Sequence, residues 1–389
     1  MTDTLTMPKQ RHSATEARRG ELTLDIVRDE QGFHALQPFW DALLEQTATR
    51  TPFMRWDWVS LWWEECRGDA QLAIGVLRDV EGLPQAIAPL MFAHENDRVR
   101  QHLTTLGFLG GFGDAHGECF DLIVPEGREG MLTPQLCRVF ALLRHECDNV
   151  RLNHLPEESP NSPYIMAALQ EHFIRAEVLN RHAGQHVSLP ASWHEFELLH
   201  SANWRSNMRR SWKKLIGQHA GIPSLAGDRV SHQQALEELY RLHALNFPAG
   251  VSTFTTPAAV RFHQRLAARW LREKRAILPL LEADDRVVAV MYGFVERGRF
   301  FHYQMGWDST QAELAPGKLV TRWCFETAIT MRLQVYDMLP GEHEYKQRWC
   351  GSTHWVLDLE AHNPVSWRAT AFHALRVVSR RLTQGGLAA

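Results

Sequence analysis

Three places in the sequence gather residues suited to chemistry on a polar, anionic ligand. The first is Pro316-Gly317-Lys318, which opens a helix after an aromatic strand, Phe300 to Trp307, and a loop. A helix start presents backbone N–H groups without intrahelical partners and the positive end of the macrodipole, which suits a pyrophosphate. Gly317 lets an anion approach the backbone, and Lys318 adds a point charge. The second is Asp337 followed by Pro340 to Trp349, just past a strand's carboxyl end, where α/β sheets bind ligands. Tyr345 can protonate a departing thiolate there, while Lys346 or Arg348 can hold an anionic group. The third is the helix Trp204 to Lys214, with Arg205 and Arg209 on one face and Arg210, Lys213 and Lys214 on another, a clamp for donor phosphates or an anionic sugar. Each has a plainer reading: a proline that merely starts a helix, a charge-mixed segment in water, and a solvated face over Trp204, Met208 and Trp212.

The glycine-rich stretch Gly107 to Gly117 lacks a Walker lysine and reads as a loop. Its Asp114 and His116, with Asp121, would line a cleft between the two halves of the chain, where a carboxylate could deprotonate an acceptor amine. The 21 histidines include no HExxH pattern, and His182 with His186 lacks a carboxylate at a metal-site spacing, so no metal is assigned.

Elements that would position these groups come in two runs. The N-terminal run reads as helices over Phe33 to Leu44 and Trp56 to Cys66, then strands at Leu72 to Arg78, Gln85 to Phe92, His102 to Phe108 and Phe120 to Val124. Helix (Pro134 to Arg144), strand (Val150 to Leu155), helix (Tyr164 to Phe173) and strand (Glu177 to Leu189) follow. The C-terminal run repeats this order: helices over Trp193 to Gln218, His232 to Asn246 and Pro257 to Glu273, and strands at Ala276 to Glu282, Val287 to Glu296 and Phe300 to Trp307. A helix to Met331 and a strand at Gln334 to Met338 complete it. A meander followed by crossovers, stated twice, implies two mixed α/β units facing each other across a cleft, each with its own sheet. The expected divisions are a disordered tail at 1–20, units at 21–190 and 191–363, and a C-terminal helix and tail at 364–389.

Composition removes several function classes. A chain of 389 residues exceeds one core, and 44% hydrophobic with 22% charged residues is globular. A net charge of −3 provides no global field toward DNA or an anionic membrane. Six scattered cysteines read as reduced thiols, the polar first residues lack a signal peptide's apolar stretch, and no run approaches the roughly 18 apolar residues of a membrane span. The expectation is a cytoplasmic protein.

Gly306-Trp307 after the aromatic strand, Ala315-Pro316-Gly317-Lys318-Leu319, and Asp337 to Trp349 with its Tyr-Lys-x-x-Trp ending resemble the GNAT-type acetyltransferase domain associated with cellulose biosynthesis (CelD type). The resemblance extends upstream to Phe262-His263, the Trp204 to Leu215 segment, Trp62-Trp63, Trp56-Asp57-Trp58 and Pro52-Phe53. This group is similar in plan to the Fem-type peptidyltransferases, which place two GNAT-like folds in one chain. The resemblance implies an α/β fold class of two GNAT-like mixed-sheet domains in tandem. It implies acetyl-CoA or another acyl-CoA as co-substrate, held by Ala315, Pro316, Gly317, Lys318, Leu319 and Gln304. Tyr345, Lys346, Asp337 and Asp121 are the candidate catalytic residues. Arg205, Arg209, Asp114, Arg348 and Trp349 are candidates to hold an amine or hydroxyl acceptor in polysaccharide or envelope synthesis. In one respect the sequence departs from the family: the usual pyrophosphate loop has two closely spaced glycines, whereas Gln311 to Gly317 offers one glycine and a proline that removes a donor. That leaves open a Fem-like transfer from a charged transfer RNA, and, from another class, a non-catalytic adaptor in exopolysaccharide assembly.

Overall fold

The computed structural model describes residues 22–94, 102–113, 115–247, 252–341 and 344–372. The tail expected at 1–20, Asp114, and the C-terminal segment beyond 372 lie outside the described residues, whereas 367–372 are helical as anticipated.

The N-terminal half opens with β1 (Thr23–Val27) and two short helices, α1 (Glu30–Ala35) and α2 (Gln37–Leu44). The Trp-rich α3 (Trp56–Cys66) follows, with Trp58, Trp62 and Trp63 buried. A meander of β2 (Gln71–Leu72), β3 (Ile74–Arg78), β4 (Pro84–Ala88), β5 (Leu90–Ala93) and β6 (Thr105–Phe108) comes next. The carboxylate of Asp79 accepts from the N–H groups of Glu81 and Leu83, which fixes the turn between β3 and β4. Helices α4 (Glu129–Leu136) and α5 (Arg138–Leu143) then cross to β7 (Asn149–Pro156), and α6 (Ser162–His172) leads to the long β8 (Ile174–Ser188). Phe120 to Val124 is no strand; it contributes one isolated bridge, Ile87 to Ile123.

In the C-terminal half the helix anticipated over Trp193 to Gln218 is two, α7 (Trp193–Leu198) and α8 (Ala202–Gln218). The hydroxyl of Ser201 accepts from the N–H of Trp204 at 3.2 Å, capping α8 and forcing the break. Ser201→Ala should therefore cost about 1 kcal/mol of stability, read from the urea midpoint; an unchanged midpoint would mean that packing alone sets the break. Strand β9 (Ile222–Leu225), α9 (His232–Asn246) and α10 (Pro257–Trp270) precede β10 (Ala276–Ile277), β11 (Pro279–Ala283), β12 (Arg286–Glu296) and β13 (Arg299–Trp307). Arg297 and Gly298 both have positive φ, as a two-residue hairpin turn requires. Then come α11 (Pro316–Thr330), β14 (Val335–Pro340), the single turn α12 (Glu344–Gln347) and β15 (Ser352–His362), a strand absent from the sequence reading.

A small sheet, β1-β3-β4, stands beside one 12-stranded sheet in the order β2-β5-β6-β7-β15-β8-β14-β13-β12-β11-β9, with β10 on β12. The continuous sheet corrects the expectation of a separate sheet in each half. The halves exchange their last strands: β15 pairs with β7, while β8 pairs with β14 as well as with β15. Each half still contains the same unit, an antiparallel meander whose last strand pairs in parallel with the crossover strand: β6 with β7, and β13 with β14. The halves also share an aromatic core, in which Trp58 of α3 packs against Phe262 and Trp270 of α10 and Phe294 of β12. Asp57 accepts from the indole N–H of Trp270 at 3.0 Å and pairs with Arg269, so the polar edge of that contact is satisfied too.

Candidate active site

Strands β13 and β14 pair only at Arg299, Phe300 and Phe301, opposite Val335, Tyr336 and Asp337. Beyond that they part, and a cavity of about 1030 Å³ opens between His302 to Trp307 on one side and Met338 to Pro340 on the other. A parallel pair that separates leaves the facing backbone groups of both strands without their ladder partners, so the gap offers backbone donors and acceptors within a lining that is mostly apolar. Helix α8 closes one side with Asn203, Trp204, Asn207 and Met208, and the 116–118 loop of the N-terminal half closes the other.

At one end of this cavity lies the start of α11. Ala315 takes a left-handed conformation (φ 51°, ψ 50°), no side chain caps the helix, and Ala315, Pro316, Gly317 and Lys318 all line the wall. Leu319 N–H bonds to the carbonyl of Ala315, leaving Gly317 and Lys318 N–H at the helix start. Burial first, and the neighbouring Arg348 second, lower the pKa of Lys318. No ion pair joins Lys318 or Arg348 to a carboxylate among the described residues. Two cations beside an uncapped helix start have the charge and the free N–H groups that an anion requires. Lys318→Ala and Arg348→Ala should each weaken binding of a coenzyme A donor by about tenfold, and the deficit should shrink as salt is raised. A salt-independent deficit would mean lost packing instead.

The other end holds titratable groups. Lys346 is buried, and its Nζ donates to the carbonyls of Leu339 and Pro340, both at 3.0 Å. Burial pulls its pKa down to about 8, against the opposing pull of Glu118 and Asp337. Two of three ammonium protons are thus engaged, and the third position becomes a lone pair when the group is neutral. Tyr345 lines the cavity, its phenol pushed up to about 12 by burial and so protonated near neutrality. His302 keeps Nδ1 at 2.8 Å from the hydroxyl of Tyr336, while its buried Nε2 has no protein partner. Burial, reinforced by Lys346, brings it down to about 3, so it is a neutral hydrogen-bonding group. Gln304 bonds His243 at 3.1 Å and Thr253 at 3.1 Å, and His243 in turn bonds Ser252, which fixes the floor.

The carboxylate at this cavity is Glu118, which the sequence reading passed over in favour of its neighbours. It forms a close ion pair with His154 of β7. Burial works against its ionisation, but His154, then His116 and Lys346, outweigh that and hold it below the usual carboxylate range. Asp121 lies instead in the core of the N-terminal half, accepting from Ser159 at 2.5 Å and from Asn161 and Leu122 N–H, and burial raises it to about 6. A carboxylate so enclosed is a structural group. Asp337 also points away from the cavity: buried on β14, it pairs with His186 at 2.9 Å and Arg299 at 3.3 Å. Leu319 is wholly buried on the inner face of α11. Arg205 reaches back to the carbonyl of His200, and Arg209 pairs with Glu197, so the cationic face of α8 does not reach the cavity. Of the expected acceptor-binding residues, Arg348 and Trp349 line it.

The corresponding gap in the N-terminal half is filled. There β6 and β7 pair only at two positions, then part, but the ring of Phe112 sits where a Cβ on Gly107 would be, at 2.3 Å. Asn153 of β7 donates to the carbonyl of Gly111, fastening the same loop across the gap. The larger opening therefore belongs to the C-terminal half, and a smaller cavity of about 520 Å³ lies beside the filled gap, lined in part by Gly111, Phe112 and Asn153.

A meander, a parallel pair that splays, and a helix start aimed into the splay define a GNAT-type fold in the C-terminal half, and the meander with its splayed pair recurs in the N-terminal half. Residues 202–347 match the acetyltransferase (GNAT) domain family. No curated protein matches the sequence. Among solved structures, FemX superposes with a TM-score of 0.56 at 9% identity, covering 84% of this chain and 96% of that one. A conserved protein of unknown function from Bacteroides thetaiotaomicron VPI-5482 gives 0.54 at 11% identity, covering 87% and 100%. A tandem GNAT protein from the clavulanic acid biosynthesis pathway gives 0.50 at 12% identity, covering 89% and 100%. At such identities the likeness is one of fold, that of tandem GNAT-like proteins. Among the described residues no helix is long and apolar enough to cross a membrane.

Proposed function

We propose that the protein transfers an acetyl or other acyl group from coenzyme A to an amine or hydroxyl acceptor in the β13–β14 cavity. One observation supports this above the others: a single cavity joins the uncapped start of α11, with Lys318 and Arg348, to Lys346, Tyr345 and Glu118. The donor's phosphates lie on the helix start and its thioester in the splay. Neutral Lys346 takes the proton of the attacking N–H or O–H as the new bond to the carbonyl carbon forms. The tetrahedral intermediate then collapses, the C–S bond breaks, and Tyr345 protonates the thiolate. Acylated acceptor and free coenzyme A leave, and both side chains recover their protonation through solvent. Glu118 and the Nε2 of His302 face the acceptor, which favours a group with hydrogen-bond donors, such as an amino sugar or another envelope precursor. We read residues 21–190 and 191–363 as two units sharing one sheet, only the second being catalytic.

Fem-like aminoacyl transfer is the second reading, supported by the likeness of fold to FemX and by the exposed Arg210 and Lys213 on α8. Titration with acetyl-CoA and longer acyl-CoA thioesters, followed by free-thiol release and intact mass, separates the possibilities. Saturable binding with thiol release supports the first reading. An adaptor neither binds nor turns over thioester, and a Fem-like enzyme would require charged transfer RNA.

A further inference from the structure

Two clusters of two histidines and one aspartate lie on the central ladder of the sheet: His154, His182 and Asp358, and His186, His354 and Asp337. The register explains why there are two. His182 pairs with Val356 and His354 with Gly184, while Asp358 pairs with Asn180 and His186 with Ser352. A half-turn that exchanges β8 and β15 thus superposes position 182 on 354 and position 358 on 186. The clusters differ in what stands beside the aspartate. In the second, the Arg299 guanidinium stands 3.3 Å from Asp337 Oδ2 and 3.2 Å from His186 Nε2, so a cation already occupies the position. In the first, no lysine or arginine pairs with Asp358 among the described residues; its partners are His182 at 2.9 Å, Asn180 at 3.0 Å and the N–H of His154 at 3.0 Å.

We infer that His154, His182 and Asp358 bind a divalent transition-metal ion of the zinc type. One ligand atom from each lies within 4.8 Å of the other two, a spread that a rotamer adjustment closes to coordination distance. The carboxylate of Glu118 takes Nδ1 of His154, which leaves Nε2 for the metal, and a carboxylate on the far nitrogen is the partner that orients metal-ligating histidines. Asn180 supports Asp358 in the same way. His154 holds a positive φ of 56° within its strand, and the Asp358 carboxylate accepts from its N–H, so the backbone fixes this residue against Asp358. The cluster opens into a second cavity of about 520 Å³, through which an ion and its remaining water ligands have access. The sequence spacing concealed this site because its carboxylate lies 176 residues from His182.

The inference is independent of acyl transfer and is tested without it. Chelator-treated full-length protein is dialysed against Zn²⁺ and its bound metal counted, with Co²⁺ as a spectroscopic substitute. One tightly held ion per chain is expected, with the visible bands of four-coordinate Co²⁺. His182→Ala and Asp358→Asn should each weaken binding by more than about 100-fold, beyond the effect of losing a supporting residue, and abolish the Zn²⁺-dependent rise in melting temperature. His354→Ala, in the arginine-filled cluster, should leave the stoichiometry and affinity intact. Absence of stoichiometric metal in the unaltered protein would overturn the inference. So would binding that survives His182→Ala or falls equally with His354→Ala. Circular dichroism checks that each variant is folded, and the wild-type metal count needs no variant.

Discussion

Replacing Lys346 by methionine is expected to lower kcat by about 10²–10⁴-fold, the usual contribution of a positioned proton acceptor. Only the neutral amine can accept a proton, and its pKa near 8 means that the wild-type rate should climb as pH rises through that value. The variant should retain a flat, low rate over the same range. Loss of the donors to Leu339 and Pro340 will also cost some stability, so activity is to be compared well below the melting temperature of the variant. Donor affinity should change little, because the role is made in the transition state. Tyr345→Phe makes a useful companion: it keeps the ring, and should lower kcat by about tenfold without moving the pH midpoint. An unaltered pH profile in Lys346→Met would assign the proton transfer to another group.

Gly317→Asp is expected to reduce coenzyme A affinity by about 100-fold or more, since it adds a carboxylate where the helix start would hold the pyrophosphate. Free of ligand, the same carboxylate interacts favourably with the macrodipole. A Cβ at this position would stand 3.3 Å from the indole of Trp307, a tight contact that offsets this gain. The apo protein should therefore melt close to the wild type. Gly317→Ala makes the same contact without the charge and should lose far less affinity. Equal losses in both variants would mean that shape rather than charge governs the site.

How much of this could be read from the residues alone depended on whether the signal was local. The strand from Phe300 to Trp307 and the helix behind Pro316 and Gly317 were legible because aromatic alternation and a proline–glycine pair are short-range features. Tyr345, Lys346, Arg348 and Trp349 reach the same cavity for the same reason. Glu118 was not legible: it sits in a loop whose neighbours Asp114, His116 and Asp121 look equally suitable, and only the fold turns Glu118 to the cavity while Asp121 faces Ser159 and Asn161. Strand β15 was not legible because Asp358, Glu360 and His362 interrupt its apolar pattern, although all three are buried in the middle of the sheet. The positive face of α8 was legible as a face but not as a role, since Glu197 and the His200 carbonyl already take Arg209 and Arg205. Strand exchange between the halves depends on pairings between distant segments, and no local pattern encodes it.

The central claim is that a coenzyme A thioester occupies the β13–β14 splay with its phosphates on the start of α11. Hydrogen exchange of the full chain, with and without acetyl-CoA, tests it most directly. Slowed exchange at 315–319, 302–305 and 338–340 is predicted, with a single concentration dependence for all three segments. No change at these segments, or protection confined to 109–118 and 151–154 around the Phe112-filled gap, would contradict it.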